Sequence, residues 1–437
     1  METILIYALT LVVGLAIFLP YYIRFRKTQK KDLYRKKEAV RLGADKPVAQ
    51  YPQIDQWKCI GCGSCVAACP EGSVLGIVSG KATIINGLKC VGHGLCEEAC
   101  PVGAIKVGLG DIKSRDDIPV MTEFNETNIE GLYIAGELGG LALIRNAINQ
   151  GRKVAEHIAS KMDHHGSDYS MHDLIIVGAG PAGLSAALTA KKHNLSFLVI
   201  DQQGAGGTIL HYPRKKLVMT KPVELPMYGW LKHPEYTKEE LLEIWEEIES
   251  KFDLNLHTKE KLEHIEKNGN GFIIKTIENS YHSRYVILAL GRRGTPRKLN
   301  IPGENLPKVM YKLIDAEAYT NENLIVVGGG DSAIEAAIGL ASQEGNTVTL
   351  SYRKDKFFRI KKRNEERLQQ MTESGKINVK FNSEIVSIQE STVILKDGGK
   401  EDELANSYVF IFAGGEPPFK LMKQIGVRFG GEMKEAL

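Results

Sequence analysis

The chain has no cysteine before position 59 and none after position 100. All seven of its cysteines lie in this window, although the chain is 437 residues long. A disulfide framework would suit a small secreted domain and not one short window of a large chain, so structural disulfides are not expected. The chain also lacks an excess of charge of either sign, since its formal net charge is +3. This balance gives no reason to expect a nucleic-acid partner.

Residues 3–23 lack any charged side chain. At ~1.5 Å per residue, a helix over this run would cross about one hydrocarbon core. Only Met1 and Glu2 precede the run and no small-residue cleavage site follows it, so a retained transmembrane helix is favoured over a cleaved signal peptide.

The segment after this run is strongly basic. Between Arg24 and Lys46 there are ten basic residues and only three acidic ones. By the positive-inside rule, this excess places the flank in the cytoplasm. The sequence therefore predicts a single-pass protein of the inner (cytoplasmic) membrane, with its catalytic part in the cytoplasm and a basic linker over 24–50.

The cysteines form two copies of one pattern. The first copy is Cys59, Cys62, Cys65 and Cys69, and the second, 31 residues later, is Cys90, His93, Cys96 and Cys100. A zinc site would more often use separated C-x2-C pairs, whereas this run, C-x2-C-x2-C-x3-C-P, is typical of iron–sulfur clusters. The stretch over 51–112 resembles the bacterial-type two-cluster 4Fe-4S ferredoxin, a small α+β domain.

The ferredoxin resemblance implies crossed ligation, in which the fourth cysteine of each copy serves the other cluster. One 4Fe-4S cluster would take Cys59, Cys62, Cys65 and Cys100. The other would take Cys69, Cys90 and Cys96, with His93 as a candidate fourth ligand. Three outcomes stay open for this altered site: a 4Fe-4S cluster with one imidazole ligand, a 3Fe-4S cluster on the three cysteines alone, or no cluster.

A glycine turn in the middle of the chain predicts a dinucleotide site. Gly178, Gly180 and Gly183 follow an apolar strand and open a helix. In this arrangement the glycines make the turn, admit a pyrophosphate and allow the helix to pack on the strand. Asp201 ends the next strand 23 residues after Gly178, the right distance to bond a ribose hydroxyl.

A second glycine turn, at Gly328, Gly330 and Ala333, follows another apolar strand. The strand after it ends without an acid and runs into basic residues: Arg353, Lys354 and, later, Arg359. Cations at this place suit the 2′-phosphate of NADP. NADPH is therefore favoured over NADH, with a solvated basic turn as the alternative.

The two turns together resemble the FAD/NAD(P)-dependent pyridine nucleotide-disulfide oxidoreductases, specifically the thioredoxin-reductase-like group. The resemblance implies an α/β fold of two Rossmann-like domains, with FAD at the first turn and NAD(P) at the second. That family ends in a flavin motif, G-L-Y-x-A-G-D, which here lies upstream, over 131–137. We therefore expect a circular permutation, with Gly136 and Glu137 binding the flavin.

The permutation implies a divided flavin domain. The FAD-binding domain would comprise 115–303 and 408–437, with the displaced flavin motif at 127–160. The NAD(P)-binding domain would comprise 304–407. Residues near the two ends of the divided domain should then contact each other.

The reductase half lacks the redox cysteine pair of its family, which excludes thiol–disulfide exchange there. We expect an FAD-dependent NAD(P)H oxidoreductase whose clusters exchange electrons with a ferredoxin, another redox protein or a quinone. No acid–base catalytic residue is nominated, and a homodimer is left open. One alternative is a ferredoxin-fed flavoenzyme that reduces a small organic substrate, with a pocket at Tyr212, Lys221, His233 and Tyr236. A membrane-tethered redox sensor without turnover is the other.

Overall fold

The computed structural model describes residues 2–45, 50–109, 117–140, 143–162, 171–219, 222–292 and 294–430. The chain divides into two compact units. The first comprises Met1–Gly110 with Phe358–Lys362, and the second comprises Asp111–Phe357 with Arg363–Leu437. The cysteine window belongs to the first unit, and both glycine turns belong to the second.

The first unit begins with a long helix, α1 (Glu2–Arg41). By length and composition only, its apolar part could cross a membrane. The helix continues through Pro20 to Arg41, so the part of the predicted basic linker before residue 42 is helical. Packing explains the difference, because Asp32 is buried and its Oδ2 accepts a hydrogen bond from the Ile77 amide at 3.0 Å.

The rest of the first unit is a small module around the cysteines. Its elements in chain order are β1 (Gln50–Ile54), α2 (Ser64–Ala68), β2 (Leu75–Val78), β3 (Lys81–Ile84), α3 (Leu95–Glu98) and β4 (Ile105–Leu109). Strand β1 pairs antiparallel with β4, and β2 pairs antiparallel with β3. Two short helices with two antiparallel strand pairs make the α+β arrangement that the sequence predicts.

The second unit is larger and contains most of the strands. Its strands are β5 (Leu132–Ile134), β6 (His172–Val177), β7 (Phe197–Ile200), β8 (Leu217–Met219), β9 (Val223–Leu225), β10 (Gly229–Leu231), β11 (Glu235–Thr237), β12 (Leu256–His257), β13 (Leu262–Asn268), β14 (Gly271–Thr276), β15 (Ser280–Leu288), β16 (Thr295–Pro296), β17 (Val309–Met310), β18 (Asn323–Val327), β19 (Thr347–Tyr352), β20 (Ile377–Phe381), β21 (Ser383–Ile388), β22 (Thr392–Asp397), β23 (Lys400–Ala405), β24 (Tyr408–Ile411) and β25 (Gly415–Glu416). Its helices are α4 (Ile144–Lys161), α5 (Pro181–Lys192), α6 (Lys238–Phe252), α7 (Asp331–Ala341), α8 (Lys362–Glu373) and α9 (Phe419–Ile425).

Two sheets organise this unit. The first has the order β12-β7-β6-β15-β14-β13, with β5 also pairing with β15. The second is entirely parallel, in the order β17-β24-β18-β19-β20. In both sheets the central strands are apolar and buried, as expected for parallel strands that are covered on both faces. The α/β class predicted from the sequence is confirmed.

Strand β24 corrects one predicted domain boundary. The sequence predicts that the returning flavin segment starts at residue 408, but Tyr408–Ile411 pairs in parallel with β18 and so lies inside the second sheet. The chain crosses back only afterwards, where β25 pairs with β16. An apolar strand carries no signal of which sheet it joins, so composition could not place this boundary.

Residues 117–134 pack within the second unit on the last described part of the chain. The Val120 amide donates to the Arg428 carbonyl oxygen at 2.9 Å. The Asn128 side chain donates to the Gly426 carbonyl oxygen at 3.0 Å and accepts from the Arg428 amide at 2.8 Å. Strand β5 adds to the first sheet in parallel with β15. These are the contacts that a permuted chain order requires.

Helix α4 follows this segment and lies directly against α5. The sequence predicts a helix over 142–159, and the structure begins it at Ile144, residues 141 and 142 lying outside the described residues. A Cβ at Gly151 would overlap the Ala182 carbonyl oxygen, so only glycine allows the two helices to approach this closely. The contact brings the middle of α4 to the first turn of α5, the helix that opens after the first glycine turn.

Candidate cofactor sites

Cys59 and Cys62 lie on one tight loop before α2, and Cys65 lies in the first turn of that helix. Cys59 and Cys65 are buried and Cys62 is exposed. Burial raises the pKa of the Cys65 thiol, and the nearby Cys59 and Cys62 raise it further, which places the three sulfurs close to one another. Backbone amides face these sulfurs, since the Ala82 amide donates to Cys59 Sγ at 3.4 Å. Such amides are the donors that cluster sulfurs and thiolates use.

Cys69, the fourth cysteine of the first copy, lies near the cysteines of the second copy, Cys90 and Cys96. These three thiols form the second group. Burial raises the pKa of the Cys96 thiol to about 11, and Cys90 and Cys69 contribute to the increase. Burial also raises the pKa of Cys90, with Cys69 again a contributor. Cys69 is therefore an electrostatic neighbour of Cys90 and Cys96, as crossed ligation predicts.

The second group of thiols borders a small cavity that is open to solvent. Cys69, Cys90, Cys96 and His93 all line it, together with Glu71. His93 Nε2 lies 3.3 Å from Glu71 Oε1, and both side chains are almost buried. Glu71 is a residue that the cysteine motif does not reveal, because its role depends on a partner 22 positions away.

The residues around this cavity fit an iron–sulfur cluster. Within the described parts of the chain, no three His, Cys, Asp or Glu side chains converge closely enough to hold one metal ion. The cysteines instead line a cavity, which suits a cluster whose metal atoms are spread over several corners. Thiols with raised pKa values must lose their protons when metal binds, and the charge of the metal favours this loss.

The first glycine turn joins β6 to α5 as the sequence predicts. A Cβ at Gly183 would overlap the Gly178 carbonyl oxygen, whereas a Cβ at Gly180 would meet only Gly207 Cα, at 3.8 Å. Gly183 thus permits the contact between helix and strand, and Gly180 leaves open space at the N-terminus of α5. Asp201 Oδ2 accepts a hydrogen bond from the Ala179 amide at 2.8 Å, which holds the acid beside the turn.

The displaced flavin motif reaches the same turn. Gly136 follows β5, and its amide donates to Gln150 Oε1 at 2.7 Å. A Cβ at Gly136 would lie 3.2 Å from Ala182 Cβ, in the first turn of α5. Glu137 is exposed beside it. The structure therefore brings Gly136 and Glu137 to the site of the first glycine turn, and this fits FAD at the N-terminus of α5.

The second glycine turn joins β18 to α7. Gly328 has a positive φ of 144°, and a Cβ there would lie 3.0 Å from Ala333 Cβ and 2.6 Å from the Phe412 carbonyl oxygen. Gly330 is the residue from which α7 begins. The Tyr352 ring lies against Gly329, where a Cβ would overlap it. Tyr352 belongs to no motif, and its place at the end of β19 is the signal that could have linked it to this turn.

The three basic residues predicted for NADP belong to two different units. Arg353 and Lys354 directly follow β19 in the second unit, whereas Arg359 is grouped with the first unit. Arg353 and Arg359 are exposed. Their common role in holding a 2′-phosphate stays a prediction.

The residues suggested for a substrate pocket make ordinary packing contacts. The Tyr236 hydroxyl accepts a hydrogen bond from the His233 amide at 3.1 Å, and their rings meet edge to face. The Lys216 ammonium lies over the Tyr212 ring, 4.4 Å from its centroid. Lys221 lies outside the described residues. These contacts give no particular support to a pocket there.

Two protein families match separate parts of the chain, the cysteine module and the part with the two glycine turns. The family described as pyridine nucleotide-disulphide oxidoreductase matches residues 175–435, and the family described as 4Fe-4S dicluster domain matches residues 51–101. The chain is 33% identical to a ferredoxin–NADP reductase of Ignicoccus hospitalis over 270 residues, which is 60% of this chain and 83% of the relative. It is 28% identical to the bacilliredoxin reductase Bdr of Bacillus subtilis over 59% of this chain and 81% of the relative.

Solved structures give a similar picture. The bacillithiol disulfide reductase Bdr (YpdA) from Staphylococcus aureus is 27% identical, with a TM-score of 0.54 over 59% of this chain and 81% of that one. The Bdr from Bacillus cereus is 25% identical, with a TM-score of 0.55 over 59% of this chain and 82% of that one. About a fifth of each of these proteins lies outside the match.

Proposed function

We propose, since the chain belongs to the pyridine nucleotide-disulphide oxidoreductase family, that it exchanges electrons between NADPH, FAD and two iron–sulfur clusters. The cysteine distribution carries this proposal. No cysteine follows Cys100, and a 4Fe-4S dicluster domain precedes the reductase in the same chain. Reductase-side thiol–disulfide exchange therefore lacks its thiols. FAD, when bound, connects the two-electron chemistry of nicotinamide with the one-electron chemistry of clusters.

In the proposed flavin site, Gly178, Gly180 and Gly183 admit the FAD pyrophosphate. Asp201 bonds the ribose, and the displaced pair, Gly136 and Glu137, holds the ribityl side. The open space at Gly180 and the approach of Gly136 to α5 support this assignment. The proposed domain organisation is the permuted one, with the boundary at 408 moved beyond β24.

In the proposed nucleotide site, Gly328, Gly330 and Ala333 accommodate the NADPH pyrophosphate, and Arg353 and Lys354 hold the 2′-phosphate. The assignment of Arg359 to the same phosphate rests on the sequence alone. Arg353→Ala tests this preference. We expect the KM for NADPH to rise roughly tenfold, equivalent to about 1.4 kcal/mol, with the KM for NADH unchanged. An equal rise for both nucleotides would argue against 2′-phosphate recognition.

In the proposed cluster sites, Cys59, Cys62, Cys65 and Cys100 hold a 4Fe-4S cluster. Cys69, Cys90 and Cys96 hold the second cluster, with His93 as its fourth ligand. The cavity at the second site supports this assignment, because these four side chains line it together. A 3Fe-4S cluster on the three cysteines is the competing form, and the iron content distinguishes the two.

We also propose that α1 anchors the protein in the inner membrane, with the cysteine module and the second unit in the cytoplasm. Its exposed apolar run and the basic residues after it support this orientation. The buried Asp32 joins the helix to the cysteine module, so anchor and clusters would form one body. Fractionation of cells that express the full chain, and of a chain without residues 2–23, tests the anchor.

The electron partner would be a ferredoxin, another redox protein or a quinone. Anaerobic NADPH oxidation measured with a viologen, a quinone and a disulfide as acceptors tests the function. We expect rapid turnover with the viologen or the quinone and none with the disulfide. Turnover that needs an added organic metabolite would favour the ferredoxin-fed flavoenzyme, and no turnover with any acceptor would favour a sensor.

A further inference from the structure

The two cysteine copies differ at several positions, and two of these differences belong to one cluster site. His93 stands where the first copy has Cys62. After the last cysteine and its proline, the first copy continues with Glu71, whereas the second continues with Val102. Crossed ligation assigns Glu71 to the site of His93, and Val102 to the site of Cys62. The acid and the histidine therefore occur together at one site, and both are replaced at the other.

The structure shows that this pair is in contact. Glu71 Oε1 lies 3.3 Å from His93 Nε2, and their side chains are 9% and 11% exposed. Both residues line the cavity that Cys69, Cys90 and Cys96 also line. Val102, by contrast, is 40% exposed. A carboxylate in such a place needs a reason, because burying a charge without a partner is costly.

We propose that Glu71 is a positioning residue that fixes the ring of His93 for cluster ligation. The carboxylate can only accept, so Nε2 carries the proton and the lone pair lies on Nδ1, the nitrogen that can then bind iron. Histidine ligands commonly donate their second ring nitrogen to a carboxylate, which sets the tautomer and the ring orientation. The inference rests on the proposed ligation by His93.

Two substitutions of Glu71 separate positioning from charge. Glu71→Val introduces the residue that occupies the matching place at the first site, and Glu71→Gln keeps an acceptor oxygen of the same size. In the full-length protein, pulsed electron paramagnetic resonance should show imidazole nitrogen coupling at the second cluster. We expect this coupling to be lost in the Val variant and kept in the Gln variant. Iron affinity at the second site should fall roughly 10- to 100-fold in the Val variant, with the first cluster's signal unchanged as a control for folding.

The decisive test compares Glu71→Val in the unmodified protein with Glu71→Val in the His93→Cys variant. Without the imidazole, Glu71→Val should no longer weaken the second cluster, because the double variant has the first site's residues at these two positions. An equal loss from Glu71→Val in both backgrounds would overturn the inference, as would unchanged nitrogen coupling in the single variant. If the unmodified protein holds only about four irons or shows no nitrogen coupling, the proposed ligation itself fails, and the inference falls with it before any variant is made.

Discussion

The two cysteine loops have nearly the same backbone but different side chains. Gly61 and Gly92 have φ values of 69° and 76°, and Gly63 and Gly94 have φ values of 80° and 83°. A short helix begins directly after the second glycine in each loop. The duplicated loop therefore presents His93 at the backbone position where the first copy presents Cys62.

The surroundings of these two residues differ sharply. Cys62 is exposed, and a hydrogen bond from Ser64 lowers the pKa of its thiol. His93 is almost buried and contacts Glu71. The comparison indicates that the same loop backbone accommodates either residue, and that His93, unlike Cys62, contacts a carboxylate from the other copy. Changes at the two cluster sites should therefore have different effects.

The largest effect is expected from removing one cysteine of each half. Cys65→Ser should abolish the first cluster's signal and leave the second, and Cys96→Ser should do the reverse, because crossed ligation gives each residue to a single cluster. Iron analysis and electron paramagnetic resonance of the two variants measure this. Loss of both signals in either variant would show that the halves fold only together.

His93→Cys should make the second half resemble the first. An imidazole ligand raises a cluster's potential relative to thiolate, so this change should lower the midpoint potential of the second cluster only. Redox titration monitored by electron paramagnetic resonance gives both potentials in one experiment. A lowered potential at the first cluster, or none at either, would contradict the assigned ligand.

The reconstitution yields of the two clusters should depend on pH to different extents. A thiol must be deprotonated to bind iron. At the second site burial raises the pKa of Cys69, of Cys90 and, to about 11, of Cys96. At the first site burial raises the pKa of Cys65, but the hydrogen bond with Ser64 lowers that of Cys62. A raised thiol pKa leaves less thiolate at neutral pH, so the yield of the second cluster should rise more steeply between about pH 7 and about pH 9. Reconstitution in buffers of matched ionic strength checks this, and equal slopes would refute it.

The smallest effect on the clusters is expected from a substitution in α1, which contacts the strand pair beside the first cluster. Asp32→Ala leaves the partly buried Ile77 amide without its acceptor, which costs about 1 kcal/mol. Because β2 pairs with β3, whose Ala82 amide faces Cys59, the first cluster should become more labile to chelator than the second. Asp32→Asn keeps an acceptor oxygen and serves as the control. Equal lability of both clusters in the Ala variant would argue against this route.

The sequence motifs predicted the local arrangements well because each depends on neighbouring residues. Both glycine turns join a strand to a helix as predicted. The proximity of Cys69 to Cys90 and Cys96 is not local, and it is the ferredoxin resemblance that implies it. The displaced flavin motif could be recognised in the sequence because G-L-Y-I-A-G-E keeps the spacing of the family motif, although it lies before the first glycine turn.

What the sequence could not predict depends on contacts between distant residues. Glu71 looks like a surface acid until His93 is placed beside it. Asp32 belongs to a basic run, and only its bond to Ile77 shows that the helix extends beyond the apolar segment. Strand β24 could belong to either sheet, since burial alone does not select a pairing partner.

The central claim is that the flavin half and the cluster half share electrons. An anaerobic titration with NADPH, followed by optical spectroscopy of the flavin and electron paramagnetic resonance of the clusters, tests it most directly. The account predicts that flavin bleaching is accompanied by signals of reduced clusters before the titration is complete. A fully reduced flavin beside clusters that stay oxidised, in a protein whose clusters dithionite does reduce, would contradict it.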